Sequence, residues 1–186
     1  MFNALNSFEI PILDAIGNIK CGFFDAFFPV ITRFADKGIG WIAIAVILIL
    51  FKKTRKTGLM VGAALLLGLI FGNGILKPLF DRERPYEFAN ITLTLIAPLH
   101  DGSFPSGHTL ASFEAATVLM LRDRRMGIPA LVLASFIAFS RLYLYVHYPS
   151  DVLAGIILGA LFGVLGVIIV KYGYSVFEKR RNSSAL

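Results

Sequence analysis

From Gly38 to Lys171 the chain is a series of long apolar runs separated by short polar clusters, with runs near 38–53, 57–79, 106–122, 127–147 and 150–171. A helix that crosses roughly 30 Å of hydrocarbon needs about 20 mostly apolar residues, so the pattern predicts five membrane-spanning helices. The first and third runs have short apolar cores and need snorkelling ends or a neighbouring helix to cover them. Residues 1–36 differ: they mix apolar and aromatic positions with Glu9, Asp14, Asp25 and Asp36, and lack the basic start and unbroken apolar core of a cleavable signal. Leu5, Phe8, Ile12 and Ile16 recur at helical spacing and "CGFFDAFFPVITRFAD" is rich in phenylalanine. One or two amphipathic helices at the interface are therefore expected, with 22–36 as a tilted sixth span the alternative. Gly155, Gly159 and Gly163 repeat every four residues, as do Gly68 and Gly72, a spacing that lets helix backbones approach closely in lipid. The expected fold is an all-α, polytopic integral-membrane bundle of five to six transmembrane helices. It forms one domain over 1–186: an interfacial segment (1–36), a transmembrane core (38–171) and a tail (172–186).

Composition agrees with this pattern. Of 186 residues, 56% are hydrophobic and only 16% charged, and the mean hydropathy is +0.74, values that a water-soluble domain of this size would find hard to keep in solution. The lone cysteine, Cys21, closes no intramolecular disulfide and offers no cysteine metal cluster; a small apolar filler is the plain reading. The net charge of +6 is gathered at Lys52, Lys53, Arg55 and Lys56, at Arg122, Arg124 and Arg125, and at Lys171, Lys179, Arg180 and Arg181. These are ends of apolar runs on one side of the bundle, so the charge reads as topology rather than nucleic-acid binding, and the positive-inside rule makes that side cytoplasmic. The opposite side receives the 80–105 loop, the 146–151 turn and all three histidines, His100, His108 and His147. Ionisable groups near lipid are expensive, and their concentration at one face marks a functional site.

Three clusters lie on that face. In "KPLFDRERP", Lys77 to Pro85, a helix end runs into a loop dense in cations; alone it reads as a headgroup-facing terminus. In "GSFPSGHTLAS", Pro105 ends the loop, Ser106 is a suitable N-cap and Gly107 permits close backbone approach, so a helix starts there with free N–H groups suited to phosphate. His108 sits in its first turn. In "SRLYLYVHYPSD", Arg141 precedes His147 by six residues, close to two helical turns, and Asp151 falls in the first turn of the last helix. A carboxylate there can fix the tautomer of an imidazole and leave the other nitrogen free to attack. Together, two imidazoles, a carboxylate, the cations Lys77, Arg84 and Arg141 and a phosphate-suited helix terminus supply what phosphoryl transfer without metal requires. No cofactor is expected, and a divalent ion would be repelled by the cations beside each histidine.

These three clusters resemble, in order, the K-x6-R-P, P-S-G-H and S-R-x5-H-x3-D signatures of the type 2 phosphatidic acid phosphatase (PAP2) superfamily. The resemblance covers the segment from Lys77 to the last helix and implies a six-helix-type membrane bundle with an extracytoplasmic site. It also implies that His147 is the nucleophile and forms a phosphohistidine, that Asp151 orients it, and that His108 protonates the leaving oxygen and then activates water. Lys77, Arg84, Ser106, Gly107 and Arg141 would hold the phosphoryl oxygens. Arginine suits such a clamp because its planar fork stays charged and binds two oxygens.

The expected function is therefore a lipid phosphatase in a bacterial cytoplasmic membrane, with its partners the bilayer and a lipid substrate: a polyprenyl diphosphate first, phosphatidylglycerophosphate or phosphatidic acid otherwise. A lipid-linked phosphotransferase using the same histidine and a non-catalytic phosphate-lipid transporter remain as alternatives. The soluble vanadium haloperoxidase branch of the family does not suit so apolar a chain. Glu114, in the middle of the third run, is an unexpected carboxylate, taken as an interhelix contact or a groove residue. His100 and Asp101 are candidates for trimming headgroup selectivity.

Overall fold

The computed structural model describes residues 2–19 and 21–183; Met1, Lys20 and the last three residues of the expected tail lie outside the described residues. Two short helices, α1 (Asn3–Gly17) and α2 (Gly22–Phe34), lead into α3 (Ile39–Leu50) and α4 (Arg55–Leu67). From α4 the helical backbone continues through a π-helical segment, Gly68–Leu76, into α5 (Lys77–Phe80). After α6 (Pro85–Phe88) and a long loop come α7 (Gly107–Arg122), α8 (Arg124–Tyr143) and α9 (Pro149–Ser183). No strand occurs among the described residues, so the all-α bundle stands.

Helix lengths change the expected spans. Among the described residues, three helical stretches are long and apolar enough to cross a membrane: Arg55–Phe88, Arg124–Tyr143 and Pro149–Ser183. At 12 and 16 residues, α3 and α7 reach only about 18 and 24 Å at 1.5 Å per residue, so a count of five to six spans does not follow from helix length. The run expected at 127–147 begins at Arg124, where Asp123 caps the helix by accepting from the Arg125 N–H at 2.9 Å. It ends at Tyr143, because residues 144–148 turn, with Tyr145 at a φ of 61°. Its last residues are thus not helical, and Arg141 and His147 are not two helical turns apart. They meet because the turn folds back, the His147 N–H donating to the Arg141 carbonyl at 3.3 Å. The tail segment continues α9 as helix to Ser183, 35 residues in all.

Packing centres on α7. Gly155, Gly159 and Gly163 bring the α9 backbone onto α7 in the same direction: a Cβ on Gly155 would lie 2.9 Å from the Thr109 Cβ, and one on Gly163 2.7 Å from the Thr117 Cβ. On its other side α7 meets the π-helical segment running the opposite way, Gly68 against Glu114 and Gly72 against Leu110. The small-residue spacing thus serves packing, as expected. Consequently the end of α5, the start of α7, the end of α8 and the start of α9 all gather at one end of the bundle. Large apolar side chains such as Leu50, Ile157 and Ile168 point outward, the arrangement suited to lipid. In α1, Leu5, Phe8 and Ile12 also face outward, whereas Asn6, Glu9 and Leu13 are buried. The helix is amphipathic as expected, and its polar face turns inward. Cys21 is exposed at the start of α2 rather than filling a core position.

Gly159 provides a test of this packing. An added Cβ would lie 2.7 Å from the Leu110 carbonyl oxygen and 2.8 Å from the Phe113 Cβ, and backbone cannot give way cheaply. Gly159→Ala is expected to destabilise the protein by roughly 1–3 kcal/mol. Gly173→Ala, in open space, should be neutral or slightly stabilising. Thermal unfolding in detergent distinguishes the two, and equal midpoints would contradict the packing.

Candidate active site

Arg82, from the loop between α5 and α6, organises the end of the bundle. Its guanidinium is fully enclosed and donates to Asp151 Oδ1 at 2.6 Å, Ser150 Oγ at 2.7 Å, Glu9 Oε2 at 2.7 Å and Asn6 Oδ1 at 2.7 and 3.0 Å. The Tyr148 and Phe2 rings flank it, with centroids 3.9 and 4.7 Å away. Glu9 also accepts from the Ser150 N–H at 2.7 Å and the Ser150 hydroxyl at 2.9 Å. One fork therefore ties α1 to the first turn of α9, and the α1 polar face turns inward to supply acceptors.

Asp151 is left in a defined position. Its Oδ1 belongs to Arg82, while its Oδ2 accepts from the Tyr148 N–H at 2.9 Å and lies 3.5 Å from His147 Nδ1. That last pairing is a charge contact longer than a normal hydrogen bond. On the other edge of the ring, His147 Nε2 is 3.3 Å from Arg84 Nη1. A guanidinium only donates, so Nε2 is the unprotonated acceptor and the imidazole proton sits on Nδ1, facing Asp151. Burial, reinforced by Arg84, Arg141, Lys77 and His108, pushes His147 well below the usual histidine range. These surroundings favour the uncharged ring. Its turn is held from outside: Tyr145 Oη donates to Asp14 at 2.8 Å and Tyr143 Oη to Asp25 at 2.7 Å, ties that help keep the left-handed Tyr145 in place.

The expected clamp assembles around this nitrogen. Lys77, at the start of α5, and Arg84 are both buried and both engage Asp101: Lys77 Nζ pairs with Oδ2, and Arg84 Nη2 donates to Oδ1 at 2.7 Å. Burial alone would raise the Asp101 carboxyl, but Lys77 and Arg84 outweigh it and hold it below the usual carboxylate range. Arg84 also donates through Nη1 to the Val146 carbonyl at 2.7 Å, which fixes the fork beside His147. Arg141, at the end of α8, is buried and donates through Nη1 to Thr32 of α2, and its Nε has no hydrogen-bond partner. A buried unpaired donor suits an anion.

The start of α7 departs from expectation in one respect. Ser106 occupies the N-cap position, but its hydroxyl pairs with the Thr109 hydroxyl at 2.9 Å rather than with a first-turn N–H. Its own N–H donates to the Asp151 carbonyl at 3.1 Å, so Ser106 binds α7 to α9. The N–H groups of Gly107, His108 and Thr109 precede the helical ladder, which opens with Leu110 N–H to the Ser106 carbonyl. Gly107 abuts Asn73, whose Oδ1 would lie 3.0 Å from a Cβ there. His108 Nε2 lies 2.7 Å from Asp36 Oδ1. The bond from His108 holds the Asp36 carboxyl below its usual range, so Asp36 is the acceptor and Nε2 carries the proton. Next to His108 a cleft of about 730 Å³ runs between α3, α4 and α7, with Lys77, Asp101 and His108 at its charged end and Ile42, Leu65 and Leu69 along its apolar walls. Glu114 lies buried in its wall against Gly68, with Oε1 unpaired, so it is at once the interhelix contact and a groove residue.

All eight expected site residues therefore reach one end of the bundle, while His100 is exposed. The residues that sequence reasoning passed over are Arg82, Glu9 and Asp36. Arg82 was hidden inside the first signature as one cation among several. Glu9 and Asp36 lie 141 and 72 residues from their partners Ser150 and His108, distances at which no spacing rule operates. Arg82→Lys keeps the charge but cannot contact Asp151, Ser150, Glu9 and Asn6 together. It should lower kcat by roughly tenfold or more through the loosened Asp151, with little change in KM, as steady-state phosphate release would record. A change confined to KM would contradict this role.

The sequence profile of the PAP2 superfamily matches residues 56–174. The undecaprenyl-diphosphatase of Sulfolobus acidocaldarius is 35% identical over 134 residues, covering 72% of this chain and 65% of that protein, so the chain spans about two thirds of that relative's length. Aquifex aeolicus LpxE superposes with a TM-score of 0.77 at 27% identity, over 86% of this chain and 94% of LpxE. A transmembrane PAP2-type phosphatidylglycerolphosphate phosphatase from Bacillus subtilis superposes with a TM-score of 0.73 at 25% identity, over 91% of this chain and 88% of that one. The chain belongs to the PAP2 superfamily, the same type as the transmembrane phosphatase from Bacillus subtilis.

Proposed function

We propose that this chain, acting as one domain over 1–186, is a lipid phosphatase that works through a phosphohistidine. The observation that carries the reading is the buried His147 held between Arg84 and Asp151, its Nε2 3.3 Å from Arg84 Nη1 and its Nδ1 3.5 Å from Asp151 Oδ2. A nucleophile must be unprotonated at the attacking atom, and here that atom faces the cations. Nε2 attacks phosphorus, and the bond from phosphorus to the lipid-side oxygen breaks. His108 acts from its doubly protonated form, in which Asp36 at 2.7 Å from Nε2 stabilises the charged ring, and gives one proton to that oxygen, becoming neutral. Water then attacks the phosphohistidine, His108 takes its proton, and the P–N bond breaks to release phosphate. Lys77, Arg84 and Arg141, with the N–H groups at Gly107 and His108, neutralise the charge that builds on the phosphoryl oxygens. Asp151 steadies the imidazole as it becomes positive.

The apolar cleft beside His108 supports a substrate whose hydrocarbon chain lies between helices while its phosphate reaches the charged end. A polyprenyl diphosphate is the first candidate, in line with what the Sulfolobus relative's name says of that protein. Phosphatidylglycerophosphate and phosphatidic acid follow. The basic clusters at the opposite end of the bundle support a site on the outer face of a bacterial cytoplasmic membrane. A phosphate-release panel across these three lipids, in detergent with a chelator, tests the reading. Turnover of a polyprenyl diphosphate is expected, with the acidic limb of the pH profile well below 6.5 because His147 is held neutral. Label passed to another lipid rather than to water would make the protein a transferase, and binding without turnover would make it a transporter.

A further inference from the structure

The geometry points to Asp101 as a tethered anion that fills the phosphate clamp between turnovers and competes with the product phosphate for it. This inference rests on the proposed clamp of Lys77 and Arg84. One carboxylate engages both cations, Oδ2 on Lys77 and Oδ1 on Arg84 at 2.7 Å, so phosphoryl oxygens cannot take those positions until Asp101 leaves them. The side chain is built to leave. It is 55% exposed whereas Arg84 is 2% exposed, so it can swing outward without disturbing the core. Its backbone, by contrast, is fixed: the Asp101 carbonyl accepts from Arg84 Nε at 2.9 Å and the Ser103 N–H donates to the Arg82 carbonyl at 2.8 Å. Gly102 fits so closely that a Cβ would lie 3.3 Å from the Lys77 carbonyl oxygen. A rotation about χ1 therefore exchanges carboxylate for phosphate while the loop stays anchored.

Two consequences follow from the tether. The buried cations keep a counter-charge when no substrate is bound, which lowers the cost of enclosing them. An anion must also displace Asp101 to bind, so its apparent affinity falls by the fraction of time the clamp is open, about 10- to 100-fold if Asp101 is seated 90–99% of the time. That factor is the same for every anion needing both cations, so Asp101 does not rank headgroups. It loosens them all, and the ligand for which this matters most is inorganic phosphate, which a permanently open clamp would retain after hydrolysis.

The test uses inorganic phosphate with the full-length protein in detergent and chelator, binding followed by calorimetry and turnover by phosphate release. Asp101→Asn and Asp101→Ala should each bind phosphate roughly tenfold tighter or more, with KM for the lipid falling in parallel and product inhibition deepening. Asp101→Glu should return phosphate binding toward the weak value. Equal or weaker phosphate binding by both neutral variants, with thermal unfolding showing them folded, overturns the proposal, since a carboxylate that merely orders the loop would weaken the site when removed. Adding Lys77→Gln to Asp101→Asn separates this inference from the clamp on which it rests. If the double variant keeps the phosphate affinity of Asp101→Asn, the clamp reading fails; if affinity falls there but Asp101→Asn alone gains none, only the tether fails.

Discussion

Arg82 is fully enclosed at the end of an otherwise apolar bundle, and a guanidinium stays charged wherever it is placed. Enclosing such a charge costs several kcal/mol unless acceptors close around it, and that requirement shapes the whole end of the molecule. It explains why α1 turns Asn6 and Glu9 inward, leaving Leu5, Phe8 and Ile12 on the outward face. It also fixes Ser150 and Asp151 at the start of α9 by two bonds from Arg82 Nη1, of 2.7 and 2.6 Å. Without this knot α1 would be docked only by its buried Leu13 and the Tyr145–Asp14 bond, and Asp151 would be oriented only by the Tyr148 N–H.

A second constraint follows for the two neighbouring guanidiniums. Arg82 is closed in by side-chain acceptors of its own, whereas Arg84 divides its bonds between the fixed carbonyls of Asp101 and Val146 and the exposed Asp101 carboxylate, and Arg141 keeps a buried Nε unpaired. The end of the bundle thus divides into a closed structural charge cluster and an open one that can exchange its anion. His147 lies at the border, with Asp151 of the closed cluster on one ring edge and Arg84 of the open cluster on the other. That placement converts a structural network into a chemical polarity: the proton is on the side of the fixed carboxylate and the lone pair on the side of the exchangeable site.

The sequence was most legible where chemistry is local. Glycines four residues apart announced the α7–α9 contact, and Asp151, four residues from His147, lies beside it because both fall at one helix start. Lys77, Arg84, His108 and Arg141 were found because their signatures name them one by one. The hidden parts are those that tertiary structure creates. A turn at 144–148 replaced the end of a predicted helix, since hydropathy continues through Leu144 and Val146 while the backbone does not. The hydroxyl of Thr109 diverted Ser106 from capping, a competition between side chain and backbone that residue type alone leaves undecided. Helix lengths fell short in α3 and α7 because hydropathy marks where a chain is apolar and not where its helix stops.

The central claim is that a neutral His147, oriented by Asp151, becomes covalently phosphorylated at Nε2. Rapid quenching after mixing the protein with a polyprenyl diphosphate labelled at the terminal phosphate tests it most directly. The account predicts an acid-labile phosphoprotein that is absent in His147→Ala, and that decays more slowly in His108→Ala because water activation is lost. Unlabelled protein at every quench time, together with undiminished phosphate release by His147→Ala, would contradict it.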